Sequence, residues 1–420
     1  MKRIVIASFA AAVLGCSAIT LAAPSNAVTM GNAAAQSAPV AGQIMVKFRD
    51  NGAAAGVLGK HGLREGPGIG STGVQLINVP AGREPQLIAA LSRNPLVEFA
   101  EPDEPVTAAT ADEYFPRQYA LQNNAQPFTN TANTLSVAGG TADADVDAVE
   151  AWSVTTGTGI KVAVLDSGVA SDNGDITPKV VARANFTNGK LGEDNYGHGT
   201  HVAGIVAATA NNTVGVAGAC PGCTILDGKV LNDSGIGSTS ALADGINWAV
   251  SNGAKVINMS LGVRASRTLE TAVNNAWSQG VVLVAAAGNG GGQTKLYPAA
   301  YPNVIAVAAT DNTDAKASFS TYGASWVDVA APGVNVYSTF PNHTFVLGTQ
   351  YNRSFGYDVG NGTSMSAPIV AATAALAWSS HAGATNTSVR ANIESTADTT
   401  MPGTGTYWKY GRVNANNAVR

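Results

Sequence analysis

The chain has 420 residues, 12% of them charged, 47 glycines and a formal net charge of −4. That length exceeds one average domain, and the charge content is about half the usual ~25%. With no basic stripe, the composition argues against a nucleic-acid partner or attachment to an anionic membrane surface, and leaves protein or small-molecule substrates.

In chain order, residues 1–23 begin with Lys2 and Arg3, run apolar from Ile4 to Leu14 and end on Leu21, Ala22 and Ala23. This is the pattern of a secretory signal; Ser8, Gly15 and Ser17 interrupt it too early for a membrane span of about 20 residues. The string VLGC ending at Cys16 leaves a lipoprotein signal as the minor alternative. Residues 24–41, rich in Ala, Ser, Pro and Gly, predict a flexible leader. Residues 42–105 predict a small α+β domain, with strands at 42–48 and 73–80, a helix at 83–92 and the stretch VEFAEPDEP from Val97. Residues 106–111 form a cleavable linker of small residues.

From Ile160 onward, buried strands (161–166, 225–231, 255–260, 281–289, 303–310) alternate with helices (199–209, 238–251, 266–278). Such alternation predicts an α/β fold, a doubly wound, mostly parallel sheet with helices on both faces. Ligands in such sheets bind beyond the carboxyl ends of the strands, so polar residues there are the candidates. The motif CPGC places Cys220 and Cys223 in one turn, and in an exported chain a local disulfide is the first reading. A redox pair or half of a zinc site are the alternatives, the latter without a second Cys or His pair at suitable spacing.

Asp166 ends the first of these strands in VAVLDSG, where it serves equally as a turn former. GHGTHVAG carries His198 at a helix start and His201 one turn on. A metal-binding reading of that pair lacks the Glu of HExxH and a third ligand. Asn289 ends another strand in AAAGN, with an amide able to donate to an oxyanion, and GNGTSMSAP offers Ser364 and Ser366. Thr363 and Ser364 are also good N-caps for the Ala-rich run that follows. A serine hydroxyl needs an imidazole to take its proton and dipoles to meet the oxyanion before it becomes a nucleophile. Asp, His, Asn and Ser in this order match one of the orders on which serine-hydrolase triads are built.

VAVLDSG, GHGTHVAG, VINMSLG, VAAAGN and GTSMSAP, together with SFSTYGASWVDVAAPG and GTGTYWKYGRVN, resemble the subtilisin-like serine peptidases, nearest the thermitase branch, over nearly all of residues 112–420. The resemblance implies a secreted endopeptidase of broad specificity acting through an acyl-enzyme. Asp166 would orient the imidazole, His198 act as base and then acid, and Ser364 attack. Asn289 and the Ser364 N–H would form the oxyanion hole. His201 and Ser366 become packing residues. Substrate would lie between the backbones of Gly235, Ile236 and Gly237 and of Ser260, Leu261 and Gly262, adding a strand. Ala286, Ala287 and Gly288 would wall the P1 pocket above Leu296, which favours apolar P1 residues. Ile369 stands where the family usually has His. Residues 342–356 form a longer segment than the family's short form, either a hairpin beside the leaving-group side of the cleft or a neutral insertion. A catalytically silent relative that binds peptides is the competing class; it would lack a triad or oxyanion residue.

The resemblance also implies structural calcium, and no organic cofactor. Its ligands would be the carbonyls of Ala210, Val214 and Val216, the side chain of Asn212, and the carboxylates of Asp175 and Asp112. The run DADVDAVE from Asp143 lacks the Gly and Glu of an EF-hand and is expected to start a helix. Residues 42–105 resemble the family's inhibitory propeptides, of ferredoxin-like fold, which assist folding, place their tail in the cleft and are cut off, here by the enzyme itself. The mature enzyme is expected to be monomeric and to have no stable membrane association.

Overall fold

The computed structural model describes residues 41–103 and 112–420. The signal, nearly all of the leader and the linker lie outside the described residues. In the N-terminal domain, β1 (Gln43–Phe48), α1 (Ala54–Gly59), β2 (Val74–Asn78), α2 (Glu84–Leu91) and β3 (Val97–Pro102) follow one another. β1 sits centrally and antiparallel between β2 and β3. Its alternation turns Ile44, Val46 and Phe48 inward, onto Leu58, Ile77 and Leu91. Three strands are present among the described residues. The segment before β2 joins it through one bridge, Gly68 to Gln75, rather than as a full fourth strand.

In the larger domain, a small hairpin of β4 (Phe128–Thr129) and β5 (Ser136–Val137) is followed by α3 (Ala148–Trp152). The αβ alternation then runs through β6 (Lys161–Asp166), β7 (Val180–Asn185), α4 (His198–Ala207), β8 (Thr224–Lys229), α5 (Thr239–Ser251), β9 (Val256–Met259), α6 (Arg267–Ser278), β10 (Val282–Ala286) and β11 (Val304–Thr310). It closes with β12 (Val329–Pro332), β13 (Val336–Thr339), α7 (Val346–Tyr351), β14 (Tyr357–Gly360), α8 (Thr363–Ser380), α9 (Asn386–Ser395), β15 (Gly411–Arg412) and α10 (Ala415–Ala418). Eight strands form one sheet in the order β15-β12-β11-β10-β9-β6-β8-β7, every pair parallel.

Successive residues of β6 feed two cores. Val162 and Val164 pack with Val202 of α4 and Val370 of α8; Ala163 and Leu165 pack with Ile246 of α5 and Val273 of α6. The period-2 geometry of a strand covered on both faces explains why these runs read as continuous apolar stretches. Two expectations are corrected. β10 ends at Ala286, short of Asn289, because the chain turns at Gly288 with φ 108°. α8 begins at Thr363 with Gly362 as N-cap and no side-chain cap, because the Thr363 hydroxyl is engaged elsewhere. Residues 342–356 connect the antiparallel strands β13 and β14 and contain α7.

Candidate active site

The carboxyl ends of β6, β9 and β10 and the amino ends of α4 and α8 meet at one cavity of about 660 Å³. His198, Ser260, Leu261, Gly262, Gly235, Ile236, Gly237, Asn289 and Ser364 all line it. Asp166 lies buried behind His198, its Oδ1 2.7 Å from Nδ1 and accepting from the Ser167 amide at 2.7 Å. The contact fixes a tautomer with its proton on Nδ1, so Nε2 is left as an acceptor facing the cavity. Burial alone would lower the pKa of His198, but Asp166 beside it, with Asp194 further back, raises it above its ordinary value.

Asp194 was not singled out from sequence. Fully buried, it accepts hydrogen bonds from Gly197 N, Thr200 N, Thr200 Oγ1 and Ser167 Oγ at 2.7–2.8 Å. These contacts satisfy N–H groups at the start of α4 and so set where His198 points. Its signal in the sequence is an Asp three residues ahead of the Gly that precedes the helix. His201 is buried, and burial followed by the neighbouring His198 pushes it down to about 3. Ser366 and Ile369 are buried in α8.

Ser364 stands in the first turn of α8. Pro368 has no N–H to give the Ser364 carbonyl four residues back, and the Ser260 hydroxyl donates to that carbonyl instead, at 2.8 Å. Ser364 Oγ donates to the Ser260 carbonyl at 3.2 Å, not to His198. Catalytic hydrogen bonds of this kind tighten when substrate arrives. Asn289 is oriented by its oxygen, which accepts from Thr363 N at 2.9 Å and Thr363 Oγ1 at 3.0 Å. The Thr363 hydroxyl accepts in turn from Gly288 N at 3.0 Å, which ties the end of β10 to α8. Asn289 Nδ2 is thereby turned away from Thr363. A β-carbon on Gly362 would stand 3.2 Å from this Nδ2 and 3.5 Å from Ser364 N, so the two donors border one space that the glycine keeps open. The φ of 144° at Gly362 independently requires glycine.

The segments Gly235–Gly237 and Ser260–Gly262 both line the cavity, with Ile236 66% exposed. Ala286, Ala287, Gly288 and Leu296 do not line the cavity. Ala286 and Ala287 are buried, and Leu296 packs so closely on Gly262 that a β-carbon there would lie 2.0 Å from its Cδ2. Sequence reasoning did not name several other lining residues, among them Tyr196, Leu347, Tyr351, Arg353 and Asn361. Cys220 and Cys223 are buried and joined, S–S 2.01 Å.

Away from the cleft, the expected calcium ligands are gathered at one loop. Asp112 accepts from Asn211 N and Asn212 N at 2.9 Å; Asp175 accepts from Val216 N at 2.9 Å and from Asn212 Nδ2 at 2.7 Å. The Asn212 oxygen accepts from Val214 N at 2.8 Å. Asp175 is fully buried, and burial pushes its carboxyl up to about 6. The carbonyls of Ala210, Val214 and Val216 accept no hydrogen bond among the described residues. Hard oxygens with spare lone pairs beside a buried carboxylate that makes no ion pair among the described residues fit a calcium ion. Asp143, Asp145 and Asp147 also lie together ahead of α3.

A model of the subtilase family matches residues 157–415, and a model of the fervidolysin N-terminal prodomain matches residues 25–103. The chain is 48% identical over 277 residues to thermitase of Thermoactinomyces vulgaris, covering 66% of this chain and 94% of thermitase. It is 43% identical over 344 residues to a thermophilic serine proteinase of Bacillus sp. (strain AK1), covering 80% of this chain and 76% of that one. A solved structure of a protease from Pseudoalteromonas arctica PAMC 21717 superposes with a TM-score of 0.64 at 31% identity, covering 74% of this chain and 99% of that chain. An all-parallel sheet ending in this cleft, a prodomain ahead of it and these similarities make the chain a member of the subtilase family.

Proposed function

We propose that this subtilase is a secreted serine endopeptidase, made as a zymogen and matured by its own cleavage within residues 106–111. The observation that carries the mechanism is the pair of donors, Asn289 Nδ2 and Ser364 N, bordering one space at the start of α8. Ser364 Oγ attacks the scissile carbonyl carbon as His198 Nε2 takes its proton. The oxyanion receives N–H groups from Ser364 and Asn289, and Asp166 stabilises the imidazolium. His198 then hands its proton to the leaving amine, the acyl-enzyme forms, and water repeats the sequence to release the acid.

Substrate adds a strand between Gly235–Gly237 and Ser260–Gly262, so that main-chain hydrogen bonds carry affinity with little side-chain selectivity. Leu296 beneath Gly262 supports a preference for apolar P1 residues. The prodomain, described to Asp103, acts as inhibitor and folding aid. Calcium held by Asp112, Asp175, Asn212 and the carbonyls of Ala210, Val214 and Val216 would pin the loop after α4 and supply structural rigidity. The Cys220–Cys223 disulfide suits an exported, monomeric enzyme. Among the described residues no helix is long and apolar enough to cross a membrane. The test is hydrolysis of casein by purified mature protein. Hydrolysis abolished by a serine-directed inhibitor is expected; hydrolysis that survives it would sink the proposal.

A further inference from the structure

The connection between β13 and β14 is fastened to the loop that carries His198. Val346 N donates to Asn195 O at 2.8 Å and Leu347 N to Tyr196 O at 3.1 Å, and the Phe345 ring lies where a β-carbon on Gly197 would be 2.3 Å from it. At its root, Asn342 is held by two hydrogen bonds to Asp172, at 3.1 and 2.7 Å. After α7, Asn352 takes the left-handed conformation (φ 52°), and Arg353 N bonds back to Gly348 O at 2.9 Å. This turn brings the Arg353 side chain to the cavity wall, in company with Tyr351, Gly360, Asn361 and His201.

Among the described residues that line the cavity, Arg353 alone carries a permanent charge. Among the described residues its guanidinium makes no ion pair and no hydrogen bond. A fork of donors left unpaired beside a partly shielded cleft matches a carboxylate, which it can take bidentately. The acyl half of a substrate is accounted for by the rims at Gly235–Gly237 and Ser260–Gly262. Arg353 precedes β14, which leads through Gly360 and Asn361 to Ser364 at the start of α8, whereas the two rims come from other parts of the chain. The chain itself offers such a substrate, since the residues directly after the 106–111 linker are Asp112 and Glu113.

We infer that Arg353 is a specificity residue for the leaving-group side of the cleft, selecting Asp or Glu among the first two residues after the scissile bond. The inference rests on the endopeptidase reading above. The experiment uses C-terminally amidated peptides sharing one acyl half, with Glu, Gln or Lys at the first or second leaving position, and compares kcat/KM within each enzyme. Wild type should favour Glu over Lys by about 5- to 10-fold, the size of a partly exposed charge pair, and the ratio should shrink in 0.5 M salt, where the screening length drops to about 4 Å. Arg353→Gln should flatten the series and Arg353→Glu invert it. Equal rates for Glu and Lys in wild type, a ratio retained in both variants, or a preference that appears only when the peptides carry a free C-terminal carboxylate would overturn the inference while leaving the peptidase reading intact. No cleavage of any peptide would overturn both.

Discussion

The imidazole of His198 works only when neutral, and its surroundings set where that happens. Burial pulls its pKa down, yet Asp166 against Nδ1 and Asp194 behind it favour the cation more strongly, and the balance lies above the ordinary 6.5. The acid limb of kcat/KM should therefore fall as pH drops through a value above 6.5, one proton per site. His201, pushed down to about 3, stays neutral and adds nothing to it. Asp166→Asn removes the charge and the tautomer preference. It should move the limb downwards and cut kcat by about 10⁴-fold; a limb that stays in place would refute the assigned coupling. Asp166, His198, Asn289 and Ser364 could be proposed from sequence because each sits in a dense motif of small residues at, or just beyond, a strand end or helix start. Asp194 was not, because a carboxylate whose work is to receive backbone N–H groups looks in GEDNYG like any loop acid.

At the level of elements, the junction between β10 and α8 brings Asn289 Nδ2 and Ser364 N, the proposed oxyanion donors, to one space. Thr363 clamps Gly288 on one side and Asn289 on the other, so the side chain expected to cap α8 instead ties two elements together. Asn289→Ala should lower kcat by roughly 10²- to 10³-fold with little change in KM, because the donor acts on charge that develops only in the transition state. A change confined to KM would show that Asn289 merely binds substrate. Five of the eight sheet strands, β6 and β8 to β11, and helices α4, α5 and α6 could be read from periodicity to within a few residues, whereas β7, β12, β15 and α9 were not named; β10 was read too long because AAAGN continues apolar and small past the turn at Gly288. α7 could not be read at all. Six residues, VLGTQY, are too few to show a helical period, and what holds them is the contact with Asn195 and Tyr196, distant in sequence.

For the whole molecule, the parallel sheet and a small α+β unit ahead of it followed from the order of strand and helix patterns, and its being a prodomain from a resemblance, whereas the shape of that unit's sheet did not, since one bridge at Gly68 stands where a further strand would. The loop proposed to hold calcium links distant parts of the chain, as Asp112, Asp175 and residues 210–216 converge. An ion bound only by the folded state stabilises by about 2.7 kcal/mol at a hundredfold excess over Kd, worth about 4 °C in Tm for a domain of this size. Excess EDTA should lower the melt of the mature enzyme accordingly; an unchanged melt would remove calcium from the account.

The central claim is that Ser364 is the nucleophile, activated by His198 and Asp166. Its most direct measurement is treatment of the mature enzyme with a fluorophosphonate, followed by peptide mapping, alongside the full-length Ser364→Ala variant. The account predicts one stoichiometric adduct on Ser364 and complete loss of casein hydrolysis, with the Ser364→Ala chain unlabelled and retaining its prodomain. Labelling elsewhere, or hydrolysis by Ser364→Ala, would contradict it.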